Sequence, residues 1–72
     1  MNYRETDLYK KMTPYLACAY AEGFCEGEDA DENDMLTAWQ WISDKGLWKS
    51  LQGFYGRAVH QLLSQGLIEA PV

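Results

Sequence analysis

The chain reads as a small all-α domain of three helices, with an acidic loop between the first helix and the second. Three observations predict this. Apolar residues recur at three- and four-residue spacing in three separate stretches. No stretch alternates apolar and polar residues as a half-buried strand would, and no internal repeat is visible. Helix punctuation stands at the ends of the periodic stretches, as Thr13-Pro14, Lys45-Gly46 and Gly66. Seventy-two residues allow one domain over 1–72 and one core. A core of that size buries a modest share of the chain's surface, so dense aromatic packing is the expected support, and three Trp, five Tyr and two Phe can supply it.

The first helix is expected to start at Thr13-Pro14, with Thr13 as N-cap and Pro14 at the first helical position, where its missing N–H costs nothing. Leu8, Met12, Tyr15, Leu16, Ala19 and Gly23 fall near one face, so the helix is expected to reach back through Pro14 with a kink and to end between Gly23 and Gly27. Cys18 and Cys25 then lie seven residues apart in one helix, ~10.5 Å along its axis, against the roughly 4.4–6.8 Å between Cα atoms that a disulfide needs. They are read as two unbridged, buried small hydrophobes, which suits a reducing compartment. The second helix is expected from Glu32 to Asp44, capped by Asp31 or Asn33, with acids at its positive dipole end and Lys45-Gly46 as its close. Its apolar stripe is Met35, Leu36, Ala38, Trp39 and Ile42, and Trp41 lies off it. The third helix begins between Trp48 and Gly53 and runs to Gln65. Leu51, Phe54, Tyr55, Ala58, Val59, Leu62 and Leu63 form its apolar face, with Gly53, Arg57, His60 and Ser64 opposite. Leu67-Ile68 folds back before Pro71. Trp39, Tyr15, Phe54 and Tyr55 are expected in the core, whereas Trp41, Trp48, Tyr3 and Tyr20 are the candidates for an exposed patch.

Charge is unevenly placed. From Met12 to Asp44 there are eight acids and no base, and seven of those acids lie between Glu22 and Asp34: Glu22, Glu26, Glu28, Asp29, Asp31, Glu32 and Asp34. The rest of the chain holds six bases and three acids, so the net charge of −5 is a local acidic pole rather than an even coat. Such a pole steers a cationic partner. A calcium loop is the first chemistry to test, because Asp29-x-Asp31-x-Asn33 matches the opening ligands of an EF-hand. Asp34 stands where that loop needs Gly, however, and Gln40 where it needs a bidentate Glu. The plain reading of the pole is a solvated loop that feeds the next helix N-terminus; its functional readings are docking on a basic protein surface or imitation of nucleic-acid phosphates. Trp41 and Trp48 are its expected anchors.

No zinc spacing, phosphate loop, nucleophile motif or acid–base constellation is found, and His60 has no ligand or relay partner at suitable spacing. The expectation is a non-enzymatic chain without metal or cofactor. The apolar run Tyr15–Ala21 is too short for a membrane span and lacks the basic lead-in of a signal peptide, so a soluble cytoplasmic protein is expected.

Two motifs remain. Leu51-Gln52-Gly53-Phe54-Tyr55-Gly56-Arg57 followed by Ala58 and Leu62-Leu63 resembles the helix-hairpin-helix, which clamps a nucleic-acid backbone with hairpin amides. It departs from that motif in having two residues between the glycines and Gln52 in place of Pro. On this reading Lys45, Lys49, Gly53, Gly56 and Arg57 form a non-specific nucleic-acid surface; the favoured reading is that Gly53 and Gly56 allow close approach of another helix or mark a loop–helix junction. The half of the chain from Met35 onward also resembles a group of small tailed-bacteriophage proteins of no assigned activity. The resemblance is carried by Gly46, Leu51-Gln52-Gly53, Tyr55-Gly56-Arg57, Ala58, Leu62-Leu63 and Gly66. It implies a phage-encoded accessory protein in the host cytoplasm and transfers no functional residue. The leading expectation is a protein that binds and modulates or inhibits a host protein or complex; nucleic-acid binding is the alternative, and pairing of two copies through the aromatic patch the third reading.

Overall fold

The computed structural model describes residues 2–51 and 53–71, which contain four α-helices and no strand. These are α1 (Asp7–Lys10), α2 (Pro14–Glu22), α3 (Glu32–Lys45) and α4 (Gly53–Ser64), with 3-10 turns at Tyr3–Glu5, Cys25–Gly27 and Leu47–Ser50. The last three helices are the three expected from the sequence, and the acidic loop joins α2 to α3. The single turn of α1 is additional. Gln52 lies outside the described residues.

The chain breaks before Pro14 instead of kinking through it. Thr13 is extended (φ −131°, ψ 166°), because the proline ring clashes with a helical predecessor. Each side of the break has its own threonine cap: Thr6 Oγ1 accepts from the Tyr9 N–H and Thr13 Oγ1 from the Leu16 N–H, both at 3.2 Å. Met12, in the break, is buried in the core.

Gly23 ends α2 in the left-handed conformation (φ 76°), and the N–H groups of Gly23 and Phe24 both donate to the Ala19 carbonyl. The expectation that Cys18 and Cys25 share a helix, both buried, is corrected here: Cys25 lies beyond the helix end, exposed, with a positive φ of 48°. Both cysteines are free. The chain then turns back onto α2. Gly27 sits directly on that helix, where a Cβ would collide with the carbonyl of Ala19 and the Cα of Tyr20. Ala19 beneath it is fully buried.

On α3, Asp31 is the cap, its Oδ1 accepting from the Asp34 N–H at 2.8 Å. The helix runs to Lys45 and closes at Gly46 (φ 66°). Ala17 and Ala21, one turn apart on α2, share the core with Leu36, Ala38, Trp39 and Ile42, their small side chains letting the two helices approach. Ile42 is wholly buried, which contributes about 1.5–3 kcal/mol. Met35, expected on this stripe, is exposed at the first turn. α4 ends at Gly66 (φ 73°) with a Schellman motif, Leu67 N–H to the Leu62 carbonyl and Gly66 N–H to the Leu63 carbonyl. Tyr55 and Val59 are its buried residues, the Tyr55 ring lying 5.3 Å from that of Trp39. Ile68 returns into the core as expected. No described helix is long and apolar enough to cross a membrane.

Both chain ends are tied to α3 by polar groups. Arg4 grips Asp44 with two parallel hydrogen bonds, Nε to Oδ2 at 2.7 Å and Nη2 to Oδ1 at 2.8 Å. Tyr9 OH and Gln40 Nε2 also donate to Asp44. The Gln40 amide, only 2% exposed, pairs reciprocally with the Glu69 backbone, accepting its N–H at 2.7 Å and donating to its carbonyl at 2.8 Å. Arg4 completes the ring through Glu69 Oε2 and the Ala70 carbonyl.

Two outcomes test this packing. Gly27→Ala is expected to destabilise by about 3 kcal/mol in urea denaturation, because backbone must move, whereas Gly23→Ala costs only about 1–2 kcal/mol for its left-handed φ. The reverse order would contradict the contact between the acidic loop and α2. The second outcome concerns pH. Burial opposes the Asp44 charge, but the bonds from Arg4, Tyr9 and Gln40 outweigh it and hold its pKa below the ordinary value. That contribution is present above pH ~3.9 and lost as pH falls through the folded value. Tyr9 is pushed up to about 12, by burial first and then by its bond to Asp44. Its contribution is complete below pH ~10 and lost as pH rises toward that folded value. The alkaline fall in stability is therefore expected to be smaller in Tyr9→Phe, which has no proton to lose; an unchanged alkaline limb would contradict the Tyr9–Asp44 bond.

Candidate partner-binding surface

Six of the seven acids between Glu22 and Asp34 are exposed, and Asp34 is half-buried. They are held to different degrees. Glu22, the last residue of α2, accepts from Tyr55 OH, and Glu26, in the 3-10 turn, accepts from Tyr15 OH at 3.0 Å. Burial first, then the Glu22 and Cys18 contacts, raises the Tyr55 pKa. Tyr15 is raised by Cys25 first and Glu26 second. Asp31 caps α3, and Glu32 and Asp34 occupy its first turn, where the positive dipole end favours them. Glu28 and Asp29 project from the loop, and no side-chain hydrogen bond to them is present among the described residues. The ion pairs among the described residues are those of Arg4 with Asp44 and with Glu69. None of the seven acids is neutralised by this chain's own described cations.

The exposed aromatics differ from those expected. Trp41 and Trp48 are half-buried and pack against the core, as do Tyr3 and Tyr20. Trp48 lies over Gly56, where an added Cβ would stand 3.2 Å from its ring, and Lys49 Nζ is 5.7 Å from the ring centroid. Tyr15 (52% exposed), Phe24 (40%) and Phe54 (39%) stand outside the core instead. Tyr15 and Phe24 meet edge to face, centroids 6.4 Å apart. Phe54 lies 4.4 Å from Tyr55, whose hydroxyl is on Glu22. The exposed aromatics thus adjoin the acidic pole, which was expected, but they are different residues. A signal for Tyr15 and Phe24 was present. Tyr15 stands in the first turn of a nine-residue helix whose buried positions are all alanines, and Phe24 lies just past its end, so neither ring has a deep core to enter.

The glycines of the second motif do not form a hairpin between two helices. Gly53 opens α4 and Gly56 is already within its first turn, because three-residue spacing places both in one helical turn. Arg57 folds back toward Gly53, and a Cβ there would stand 3.3 Å from Arg57 Nη1. Lys45, Lys49 and Arg57 are exposed, and so is His60.

Two clefts complete the surface. One of about 270 Å³ lies between Tyr3, Gln40 and the Gly66–Glu69 strap, and its Gln40 and Glu69 polar groups already bond each other. The other, about 210 Å³, opens between Trp39 on α3 and Ala58, Gln61, Leu62 and Gln65 around α4. Neither lining joins a nucleophile to a base. No family model, curated protein or solved structure matches the chain.

Proposed function

We propose that this chain is a small binding protein, a phage-type accessory factor that docks on a basic surface of a host protein or complex and modulates or inhibits it. The observation that supports this reading is the pairing of seven acids, none neutralised by a described cation, with exposed aromatics at their border. Charge on this scale accelerates encounter with a basic surface and makes the rate salt-dependent, while desolvated aromatic rings slow release. In this reading Tyr15, Phe24 and Phe54 take the anchoring role first given to Trp41 and Trp48.

The acids separate into those that build the fold and those that are free. Asp31 caps α3 and Glu22 receives Tyr55, so their replacement would disturb structure. Glu28 and Asp29 have neither duty, which makes Glu28→Lys with Asp29→Lys the clean charge reversal.

The test is capture of partners from bacterial lysate with tagged protein, washed at low and high salt and treated with nuclease. A stoichiometric protein is expected that is indifferent to nuclease and released by high salt. Its association rate with the purified double variant is expected to fall about tenfold or more at low salt. An unchanged rate would contradict steering by the pole. Recovery of nucleic acid at low salt, abolished by Arg57→Glu, would instead place the activity on Lys45, Lys49 and Arg57.

A further inference from the structure

We propose that the Tyr15–Phe24 ledge is a guanidinium subsite, taking an arginine side chain from a cationic segment of the partner; this rests on the docking reading above. Two rings that could each have been buried face solvent and pack on one another instead of on the core. A half-exposed ring pair beside a carboxylate suits a planar cation, which stacks on a ring while its N–H fork bonds the carboxylate. Glu26 stands at the rim of that ledge. Its Oε1 is held by Tyr15 OH at 3.0 Å, and no described group donates to Oε2.

Charge decides among occupants. Seven carboxylates repel nucleic acid and anionic lipid, and a purely apolar segment would strip water from Glu26 without replacing its hydrogen bonds. Lysine matches the charge but less of the chemistry: its ammonium is compact, strongly hydrated and lacks the flat face that stacks. This chain has two arginines. Arg4 is committed to Asp44, so a second copy could offer only Arg57.

The experiment is calorimetric titration of the full chain with hexa-arginine and with hexa-lysine at low salt. Hexa-arginine is expected to bind about three- to fivefold more tightly. That preference should fall to near unity in Tyr15→Leu/Phe24→Leu, with hexa-lysine affinity unchanged. In the wild-type protein, the Tyr15 and Phe24 ring proton resonances are expected to shift on adding hexa-arginine, a reading that needs no variant. Equal affinities for the two peptides would overturn the subsite and leave the acidic pole intact as a docking surface. A preference that survives in the double variant would overturn it by placing guanidinium recognition elsewhere. Binding of neither peptide would overturn the subsite and the docking reading together. Self-association of the chain, lost in Arg57→Ala, would reassign the ledge to a second copy.

Discussion

A carboxylate in the last turn of α3 meets the negative end of the helix dipole, and Asp44, with a tenth of its side chain exposed, has little water to offset that repulsion. Arg4 answers it with a two-pronged bond, and everything at the termini follows from this requirement. Arg4 reaches Asp44 because the first residues lie across α3, a path that the break at Thr13 and the separate turn of α1 make possible. The same guanidinium holds Glu69 and the Ala70 carbonyl, and Gln40, one turn before Asp44, pairs with the Glu69 backbone. The C-terminal strap is thereby drawn over α3, which places Ile68 in the core. In so small a domain, a polar ring that closes both ends does work that a larger core would otherwise perform.

The same ring divides the charge. Asp44 belongs by sequence to the long acidic stretch, yet it is spent inside the fold, and it takes one of the chain's two arginines with it. What remains is a cluster between Glu22 and Asp34 whose order comes from phenols, a helix start and Gly27 rather than from counter-charges. Tyr15 and Tyr55 orient two of its carboxylates without neutralising them. A surface held in place but left charged is suited to meeting a cation supplied from outside, and the neighbouring rings give that cation an apolar face to rest on.

Local chemistry was legible in the sequence, and long-range pairing was not. Thr13, Asp31, Gly46 and Gly66 each act within one turn of their own position, so reading them needs no tertiary knowledge. Leu36, Ala38, Trp39 and Ile42 were legible for the same reason, since helical period alone sets their face. Pro14 marked a boundary, but the apolar period running through it hid the extended Thr13 that breaks the chain there. Trp41 and Trp48 looked exposed because a helical wheel has no knowledge of the 3-10 turn that lays Trp48 on Gly56. Tyr15 and Phe54 looked buried because periodicity ignores that each stands in the first turn of its helix, α2 or α4, away from the buried positions further along. Cys25 was misplaced because Gly23 ends the helix two residues earlier. Arg4 lies forty residues from Asp44, and Gln40 lies twenty-nine from Glu69; no spacing rule links an arginine near one terminus to a carboxylate closing a later helix.

The central claim is a division of charge: one partly buried pair closes the fold, and the acidic pole is left uncompensated. Salt separates the two, because it screens exposed charges much more than a partly buried pair. The deciding measurement is the thermal stability of the wild-type protein as NaCl is raised from about 10 to about 150 mM, a range where screening dominates. The account predicts that the midpoint rises, since repulsion within the Glu22–Asp34 pole is relieved. A midpoint that falls would mean those acids are engaged in surface ion pairs, and would contradict the claim.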